Sequence, residues 1–379
     1  MSKRIIVLGA GMVGRAIARD LASQATVISV DRDPNALDEL KKQGLETRLA
    51  DLSNTQEVAR VVESADLVVG AVPGFMGFQT LKTVIEAGKP VVDISFFPED
   101  AFELDALARS RGVIAIVDAG VAPGMSNLIL GYHNREMQIQ SASCFVGGLP
   151  VQRTWPFAYK APFSPIDVVE EYTRPARLKI NGKIVVKPAL SEPEFLEFDE
   201  IGTLEAFNTD GLRSLLTTLE IPNMSEKTLR YPGHREYMQL FSSAGFFGTE
   251  PVDIDGQGVI PIELTSRLLL KEWKLAPNEN EFTVMRIILE GAQNSIPVRI
   301  QYDLLDRYDS ATQTSSMART TGYACTAMVN LVLQGLYTET GIHPPEHVGA
   351  QDGCCEAVLE YLQQRNIQYR KSPAEGQHA

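Results

Sequence analysis

The sequence contains few of the residues that build disulfide scaffolds and metal centres. Its 379 residues include four cysteines, which lack both the C-x-x-C spacing of zinc sites and the density of a secreted disulfide framework. We therefore expect reduced thiols at Cys144, Cys325, Cys354 and Cys355. Of the five histidines, His343 and His347 have the spacing of two ligands on one helical turn, but two prolines between them spoil that face. We expect no bound metal.

The chain also lacks a surplus of basic residues and any long apolar run. A net charge of −13 and an isoelectric point near 5.0 argue against a nucleic-acid partner, because phosphate binding favours a basic face. No apolar stretch approaches the length of a membrane span, and no charged leader precedes the first apolar run. We expect a cytoplasmic protein with no membrane partner. At 44% hydrophobic content, the chain is long enough for two domains.

Residues 4–33 have the pattern of a dinucleotide-binding unit: a strand, a glycine turn, a helix and a second strand that ends in an acid. Gly9 makes the tight turn, Gly11 lets the backbone approach a pyrophosphate, and Gly14 lets helix and strand pack closely. The start of the helix presents backbone N–H groups and a positive dipole end to the phosphates. The pattern therefore predicts a bound dinucleotide.

The acid at the end of the second strand favours NAD over NADP. Asp31 follows Gly14 by seventeen residues, where a carboxylate can accept hydrogen bonds from the adenosine ribose hydroxyls. Arg32 leaves NADP open, since a guanidinium can pair with a 2′-phosphate. Asp51 is typical of a residue at the adenine edge, and the alternative is that it only caps the next helix. The predicted cofactor contacts are Gly9, Ala10, Gly11, Met12, Val13, Gly14, Asp31, Arg32, Asp51, Ala71, Val72 and Pro73.

The rest of the first third of the chain alternates short β-branched runs with segments of helical apolar spacing. The runs lie at Ser64–Val72, Lys89–Phe96 and Gly112–Gly120. This alternation predicts an α/β fold with a doubly wound parallel sheet. Ligands of such sheets bind beyond the carboxyl ends of the strands, so we expect the site near Val72, Asp93 and Asp118.

From about Gln138 the pattern changes to longer strand-like pieces separated by proline and glycine, which indicates a second, mixed or antiparallel domain. Asn181-Gly182 supplies the two positive-φ positions of a type I′ hairpin. Met317–Thr338 has apolar residues at helical spacing, and we expect it to pack on the first domain or on a partner subunit. The predicted segments are a dinucleotide-binding domain over 1–124, a substrate-binding and dimerisation domain over 125–316, and a C-terminal helical segment over 317–379.

Several motifs in this order resemble one family, the saccharopine dehydrogenase-like family. They are RIIVLGAGMVG, VVDIS, DAGVAPGMSN, VGGLP, LEAFNTDG, KTLRYPGH and MARTTGYACT. The resemblance spans nearly the whole chain. It implies a Rossmann domain, a second α/β domain that completes the site and mediates dimerisation, and oxidation by a pyridine nucleotide at an amine-bearing carbon.

Within the family, the chain is most similar to the lysine 6-dehydrogenase branch. It has GVAPGM where saccharopine reductases resemble GLDPG, and Arg319 in MARTTG where theirs typically has lysine. The resemblance implies NAD-dependent oxidative deamination of the ε-amine of lysine to the semialdehyde, which can cyclise to a piperideine carboxylate. The alternatives are a saccharopine- or carboxynorspermidine-type dehydrogenase that forms or cleaves a secondary amine, and a non-catalytic nucleotide-binding regulatory protein. The charged segment with Asp210 and Arg213 departs from the branch.

Oxidation of an amine requires a base near the nicotinamide, because a free lysine amine has a pKa of about 10.4. Asp118 ends a strand at the predicted corner, and the alternative is that it only caps the helix at APGMSN. His234 lies in a family-like motif and can accept the amine proton or activate water; the alternative is a structural histidine. These are the two predicted catalytic residues.

Charged and polar residues of the second domain are the candidates for binding the amine or amino-acid substrate. Arg213 and Arg235 can hold its α-carboxylate by a bidentate fork, and Asp210 can hold its α-amino group. The alternative is surface pairing of the arginines with Asp210 or Glu236. The predicted substrate contacts are Asp93, Tyr172, Asn208, Asp210, Arg213 and Arg235. We expect a homodimer or higher homo-oligomer.

Overall fold

A computed structural model describes residues 3–161, 165–276 and 279–372. These residues form two units. The first combines the chain up to Arg135 with Met317–Gln368, and the second combines Glu136–Ser316 with the strand that begins at Tyr369. The α/β fold class is as predicted.

The first part of the chain alternates strands with helices. Apart from the edge strand β3, its strands are mostly buried runs of apolar residues, as is typical of a parallel sheet. The elements are β1 (Arg4–Leu8), α1 (Met12–Leu21), β2 (Thr26–Asp31), α2 (Pro34–Lys42), β3 (Glu46–Leu49), α3 (Thr55–Val62), β4 (Leu67–Gly70), α4 (Gly74–Glu86), β5 (Val91–Asp93), a 3₁₀ turn (Ala101–Leu104), α5 (Asp105–Ser110), β6 (Ile114–Ile116) and α6 (Met125–His133).

The middle of the chain is dominated by longer strands. Its elements are β7 (Gln138–Pro150), α7 (Pro165–Thr173), β8 (Ala176–Ile180), β9 (Lys183–Lys187), β10 (Glu194–Phe198), β11 (Gly202–Asn208), α8 (Leu215–Thr218), β12 (Asn223–Arg230), α9 (His234–Ser243), β13 (Val252–Ile254), β14 (Gln257–Val259), α10 (Pro261–Trp273), β15 (Glu281–Gln293) and β16 (Ile296–Arg307). The type I′ hairpin is confirmed, because Asn181 and Gly182 both have positive φ between β8 and β9.

The last part of the chain is mostly helical. It comprises α11 (Ser316–Leu333), β17 (Gly341–His343), α12 (Pro345–Ala350), α13 (Cys354–Gln363) and β18 (Tyr369–Ser372). Thr326 on α11 and Arg365 both donate to the carboxylate of Asp20 on α1, at 2.5 and 2.6 Å. The segment that we expected over 317–379 is divided, because β18 pairs with β16 in the second unit.

The sheet of the first unit has seven parallel strands in the order β17-β6-β5-β4-β1-β2-β3. Strand order reverses between β1 and β4, which register with each other from Ile5↔Leu67 to Leu8↔Gly70. A doubly wound sheet binds its ligands at this switch point, beyond the carboxyl ends of the strands. The predicted parallel sheet is confirmed.

The boundary of the first unit lies beyond the predicted residue 124. Helix α6 packs against α12, which places residues up to Arg135 in this unit. The sequence also does not predict β3 or β17. The first is a polar edge strand, and the second is a three-residue strand at the opposite edge that pairs with β6.

The sheet of the second unit is mixed, as predicted. Its main path is β10-β11-β12-β7-β15-β16-β18, with β8 and β9 attached through β12. Strands β12 and β7 are parallel, whereas the long ladder between β15 and β16 is antiparallel. None of the helices in the described ranges combines the length and the hydropathy of a transmembrane helix.

Candidate functional site

The glycine turn after β1 has the geometry that a bound pyrophosphate requires. Gly9 has a φ of +110°, and a Cβ there would lie 2.3 Å from the carbonyl oxygen of Ala71. A Cβ at Gly14 would lie 2.1 Å from the carbonyl oxygen of Gly9, so α1 packs directly on the turn. At Gly11, a Cβ would meet no described atom within 4 Å. A side chain at Gly9 or Gly14 would therefore clash with the backbone of the protein, whereas the space beside Gly11 is open.

The glycine turn at residues 9–14 and the first turn of α1 together form a concave backbone surface, the glycine cradle. Met12 and Val13 follow Gly11, which is the N-cap residue of this helix and has no side chain to cap it. Backbone N–H groups at a helix start, together with the positive end of the helix dipole, favour a bound anion. The residues present therefore fit the diphosphate of a dinucleotide.

Asp31 lies at the carboxyl end of β2, beside the glycine turn. Its Oδ2 accepts a hydrogen bond from the backbone N–H of Ala10 (2.6 Å), and its Oδ1 accepts one from the N–H of Asp33 (2.9 Å). These two bonds fix the orientation of the carboxylate. Each oxygen has a further lone pair that can accept a ribose hydroxyl.

Asp51 belongs to a tight turn after β3 and does not cap α3. Its Oδ1 accepts hydrogen bonds from the hydroxyl (2.7 Å) and the backbone N–H (3.0 Å) of Ser53. These bonds, with the charge of Arg32, lower the pKa of Asp51. The cap of α3 is Asn54, whose side chain accepts from Gln56 N–H at 3.0 Å. The alternative that Asp51 is the cap is therefore wrong.

Residues 71–73 lie beyond β4, next to the switch point. The N–H of Ala71 donates to the carbonyl oxygen of Leu8 at 2.9 Å, which continues the pairing of β4 with β1. Val72 is buried and Pro73 is the N-cap residue of α4. The segment therefore passes beside the glycine turn without a bulky side chain on its exposed face.

Asp93 and Asp118 lie at the carboxyl ends of neighbouring strands. The N–H of Ala119 donates to the carbonyl oxygen of Asp93 at 3.0 Å, so the two ends are adjacent. The carboxylate of Asp93 is fully buried, accepts from Ser95 N–H at 2.7 Å and lies against Gly70. It faces the backbone of β4. Asp118 is 5% exposed and has a φ of +53°, an uncommon conformation for a non-glycine residue.

The alternative that Asp118 caps the following helix is wrong. Helix α6 begins at Met125, and its N-cap residue is Gly124. The side-chain oxygen of Asn127 accepts from the N–H of Gly124 at 3.2 Å, which supplies the capping interaction instead. Asp118 lies before this turn.

In the second unit, His234 is buried and both of its ring nitrogens are hydrogen-bonded. Its Nδ1 lies 2.9 Å from the carbonyl oxygen of Phe157, and its Nε2 lies 3.0 Å from the hydroxyl of Tyr172. Burial, and then the charge of Arg230, lower the pKa of His234 to about 3. The Nε2 lone pair of His234 is thus occupied and the charged form of the ring is disfavoured, which argues against transfer of an amine proton to His234; its catalytic role stays a prediction.

Tyr172 links this histidine to a buried arginine. Its hydroxyl accepts a hydrogen bond from Nε of Arg230 at 3.1 Å. Nη2 of Arg230 donates to Glu171 at 2.6 Å, and the guanidinium carbon lies 4.5 Å from the ring centroid of Tyr159. The side chain of Arg230 is 3% exposed, whereas that of Glu171 is 29% exposed. Arg230 was not among the site residues predicted from the sequence, although it lies in the motif KTLRYPGH.

Asp210 pairs with Arg177 through a bidentate contact. Nε and Nη2 of Arg177 donate to the two carboxylate oxygens at 2.9 and 2.8 Å, and the Arg177 N–H adds a third bond at 3.2 Å. The expectation that Asp210 receives a substrate amine, or pairs with Arg213, is therefore not supported. Arg213 is half-buried with a φ of +46°. Local spacing gave no signal for Arg177, which lies on a different strand.

Arg235 pairs with a buried carboxylate instead of the predicted substrate or Glu236. Its Nε donates to Oε1 of Glu205 at 2.6 Å, and Nη1 donates to Gln239 at 2.7 Å. The other oxygen of Glu205 accepts from the N–H of Gly233 at 3.3 Å. Arg235 therefore stabilises the turn that begins α9.

Asn208 also has a local structural partner. Its Nδ2 donates to the hydroxyl of Ser191 at 3.1 Å and to Glu192 at 3.0 Å. Its backbone N–H donates to the carbonyl oxygen of Ser191 at 3.0 Å. These bonds hold the turn before β10 against the end of β11.

Glu226 on β12 is a buried carboxyl that was not among the residues predicted from the sequence. Its Oε2 accepts from the hydroxyl of Thr209 at 2.7 Å, and the hydroxyl of Thr228 lies 3.0 Å from that of Thr209. Burial raises its pKa to about 7, and the nearby carboxylates of Glu171 and Asp210 add to the shift. Among the described residues, no cation forms an ion pair with Glu226. Across residues 3–161, 165–276 and 279–372, no three His, Cys, Asp or Glu side chains cluster in a way that could hold a metal ion.

Two family models match the chain in succession. Residues 5–116 match the saccharopine dehydrogenase NADP-binding domain, and residues 120–367 match the saccharopine dehydrogenase C-terminal domain. The second match alone covers more than half of the chain.

Two known proteins that are similar to this chain have names related to the family that the models describe. An alpha-aminoadipic semialdehyde synthase from Arabidopsis thaliana is 26% identical over 73% of this chain, which corresponds to 30% of that protein. A saccharopine dehydrogenase [NADP(+), L-glutamate-forming] from Pyricularia oryzae is 24% identical over 66% of this chain and 59% of its own length. The chain thus spans less than two thirds of these relatives.

A solved structure has the same fold over nearly its whole length. The apo saccharopine dehydrogenase (L-Glu forming) from Saccharomyces cerevisiae aligns with a TM-score of 0.80 over 98% of this chain and 99% of that chain, at 18% identity. The match to the NADP-binding domain covers the residues of the glycine cradle, and the match to the C-terminal domain follows it along the chain. The chain belongs to the saccharopine dehydrogenase family.

Proposed function

We propose that the chain is an oxidoreductase that uses a nicotinamide dinucleotide to oxidise or form a C–N bond of an amino-acid-derived secondary amine, as the names of its relatives indicate for saccharopine. The observation that carries this proposal is the glycine turn, which is open to a ligand at Gly11 in a chain that matches both domains of the family. The fold alone would not suffice, because one fold supports many functions.

The reaction moves a hydride and a proton in separate steps. The hydride would leave the carbon that bears the nitrogen, and a hydride acceptor is what a nicotinamide dinucleotide would supply when bound in the cradle. The nitrogen must first be neutral, so a protein group or water takes its proton. Water then adds to the resulting C=N bond, which breaks to give a carbonyl compound and a free amine. Asp118, at the carboxyl end of β6, is the candidate that remains for holding or receiving this proton.

The amino-acid end of the substrate is assigned in this proposal to one face of β12. Glu226, Thr228 and Arg230 alternate along the strand, so their side chains share a face. Arg230 offers a guanidinium to a carboxylate, and Glu226 offers a carboxyl group that has hydroxyl partners but no described ion pair. This arrangement suits a substrate with both an ammonium and a carboxylate.

We propose NAD as the preferred nucleotide. Asp31 would accept the ribose hydroxyls and would repel a 2′-phosphate. The family model that matches this part of the chain is described as NADP-binding, and the exposed Arg32 is the residue that favours NADP. A direct comparison of the two nucleotides decides the point.

Oxidative deamination of lysine is the second candidate. GVAPGM and the Arg319 motif, which distinguish the chain from the saccharopine reductases it resembles, favour it. It requires the same hydride step at the ε-carbon of free lysine. Both candidates share a substrate portion with one ammonium and one carboxylate on the same carbon.

Turnover assays separate the candidates. The purified chain is offered saccharopine or L-lysine with NAD or NADP at alkaline pH, and absorbance of the reduced nicotinamide is followed. Reduction with saccharopine supports the first candidate, and reduction with L-lysine alone supports the second. Gly11→Ala is the matched control, because it should fold but block the pyrophosphate. Nucleotide binding without turnover of any amine in either direction would favour a regulatory protein.

We also propose that the chain forms a homodimer through the second unit. Leu240 on α9 and Leu264 and Leu268 on α10 are 49–61% exposed, and the proposal assigns these apolar side chains to the interface. Light scattering of the full chain should give twice the monomer mass, and Leu268→Lys should reduce it. A monomer at micromolar concentration contradicts this proposal.

A further inference from the structure

The buried histidine of the second unit has a defined proton arrangement. A carbonyl oxygen only accepts hydrogen bonds, so the 2.9 Å contact with Phe157 requires that Nδ1 of His234 carries the proton. Because burial and the charge of Arg230 lower the pKa of His234 to about 3, the ring is neutral at ordinary pH. Its Nε2 is therefore an acceptor.

The unprotonated Nε2 of His234 determines the direction in which the hydroxyl of Tyr172 donates its hydrogen bond. At 3.0 Å, the hydroxyl of Tyr172 must donate to Nε2 of His234, since that nitrogen carries no proton. The oxygen lone pairs of Tyr172 then accept from Nε of Arg230 at 3.1 Å. The direction of donation is fixed from Arg230 through Tyr172 and His234 to the backbone.

Two further contacts restrain the guanidinium of Arg230. Its Nη1 donates to the carbonyl oxygen of Leu229 at 2.9 Å, and the ring of Tyr159 lies 4.5 Å from its central carbon. Nη2 is directed toward the carboxylate of Glu171, which is the partly exposed member of the group. The Glu171 side is thus the one from which another carboxylate can approach.

We propose that His234 is a positioning residue, which acts through Tyr172 to orient the guanidinium of Arg230 for the carboxylate of the substrate. The inference rests on the proposed function, because it assumes an amino-acid substrate. It differs from a purely structural role in one consequence. Loss of the His234 acceptor should weaken recognition of the carboxylate more than recognition of the rest of the substrate.

Calorimetry on the full chain with bound nucleotide can measure this difference. The probes are L-lysine, saccharopine and cadaverine, which is lysine without its carboxylate. The variants are Tyr172→Phe, which keeps the ring, and His234→Asn, which keeps a donor near Phe157 but removes the acceptor at Nε2. His234→Gln is the conservative control, because its amide oxygen can reach the position of Nε2.

We expect the wild type to bind L-lysine or saccharopine more tightly than cadaverine. Tyr172→Phe and His234→Asn should weaken binding of the carboxylate-bearing probe by about tenfold, the loss of one hydrogen bond to a charged group, and leave cadaverine unchanged. His234→Gln should restore binding to within about threefold of the wild type. Thermal melting of each variant checks that it is folded.

Other results overturn the inference in distinguishable ways. If Tyr172→Phe and His234→Asn retain the full preference for the carboxylate, His234 has no positioning role and the proposed function stands. The same conclusion follows if His234→Gln is as weak as His234→Asn while both melt normally. If the wild type binds neither L-lysine nor saccharopine, this inference and the proposed function both fail.

Discussion

The two units place their polar groups by different means. In the first, the turn at Gly9, Gly11 and Gly14 depends on small residues close in sequence and on backbone geometry. In the second, Arg230 depends on side chains drawn from separate elements, among them Tyr172 on α7 and His234 on α9. Backbone cradles are specified locally, whereas side-chain networks are specified only once the chain has folded.

This difference predicts different responses to mutation. A cradle has an open position that the protein itself does not need to fill, so a substitution there changes ligand binding alone. In the network around Arg230, by contrast, most donors and acceptors are buried and hydrogen-bonded to one another, and only the Glu171 side is partly exposed. Removal of one member should therefore affect stability first.

Replacement of Arg230 should have the largest effect. Arg230→Met removes the cation that Glu171 and the Tyr172 hydroxyl contact, and we expect the free energy of unfolding to fall by about 3–5 kcal/mol. Arg299→Met is the control, because its pair with Glu290 is exposed and should contribute under about 1 kcal/mol. Urea unfolding measures both. A loss below about 1 kcal/mol for Arg230→Met would mean that the network does not stabilise this unit.

Alanine at two glycines of the same turn should separate folding from binding. Gly14→Ala places a Cβ about 2.1 Å from a carbonyl oxygen, and we expect a loss of stability of about 3 kcal/mol. Gly11→Ala meets no described atom, so its loss should be under about 1 kcal/mol while the Kd for the dinucleotide rises at least about tenfold. Melting and nucleotide titration test the pair. Equal dinucleotide binding by Gly11→Ala and the wild type would contradict the cradle.

The sequence was sufficient to predict most of the first unit because its signals are local. The glycine spacing, the acid at the end of β2 and the alternation of strands with helices each lie within a short window. The elements that were missed have weak local signals: β3 is polar, and β17 has three residues far along the chain. The role of Asn54 as a cap was obscured by Asp51, which lies in the same turn.

The second unit was harder because its partners are distant in sequence. Asp210 was expected to act with Arg213, yet its partner Arg177 lies 33 residues away on β8. Arg235 was expected to hold the substrate carboxylate, with a surface pair to Asp210 or Glu236 as the alternative, yet its partner Glu205 lies 30 residues away on β11. Residue type identified charged groups, but the strand pairing decides which charges meet.

Glu226 tests the electrostatics of the second unit. Its pKa is raised from the usual 4.5 to about 7, so the folded chain retains a proton that the unfolded chain releases. This contribution to stability is present below pH 4.5, falls as the pH rises, and is lost above about 7, a total of about 3 kcal/mol. Glu226→Gln should therefore be more stable than the wild type at pH 8 by up to that amount, with no gain near pH 4.

Glu205 is a buried carboxylate that has an arginine partner, unlike Glu226, and the same measurement of stability against pH compares the two. It is equally buried but pairs with Arg235 at 2.6 Å, so Glu205→Gln should destabilise the protein at pH 8. Urea unfolding of both variants across pH 4–8 compares them. A pH-independent effect of Glu226→Gln would mean that this carboxyl ionises as an exposed one does.

The smallest expected effect concerns the choice of nucleotide in the first unit. Asp31→Ser removes the carboxylate that would repel a 2′-phosphate, and the exposed Arg32 can then pair with that phosphate. We expect the ratio of the Kd values for NADP and NAD to fall by about tenfold, or about 1.4 kcal/mol. Asp33→Ser is the control, since it removes a neighbouring carboxylate while serine can still cap α2, and it should leave the ratio unchanged. Arg32→Ala in the Asp31→Ser background should cancel the gain. A wild type that prefers NADP, and whose ratio of Kd values does not change in Asp31→Ser, would contradict the role of Asp31. Residues other than Asp31 would then select the nucleotide, and the glycine cradle would contribute only to binding of the pyrophosphate.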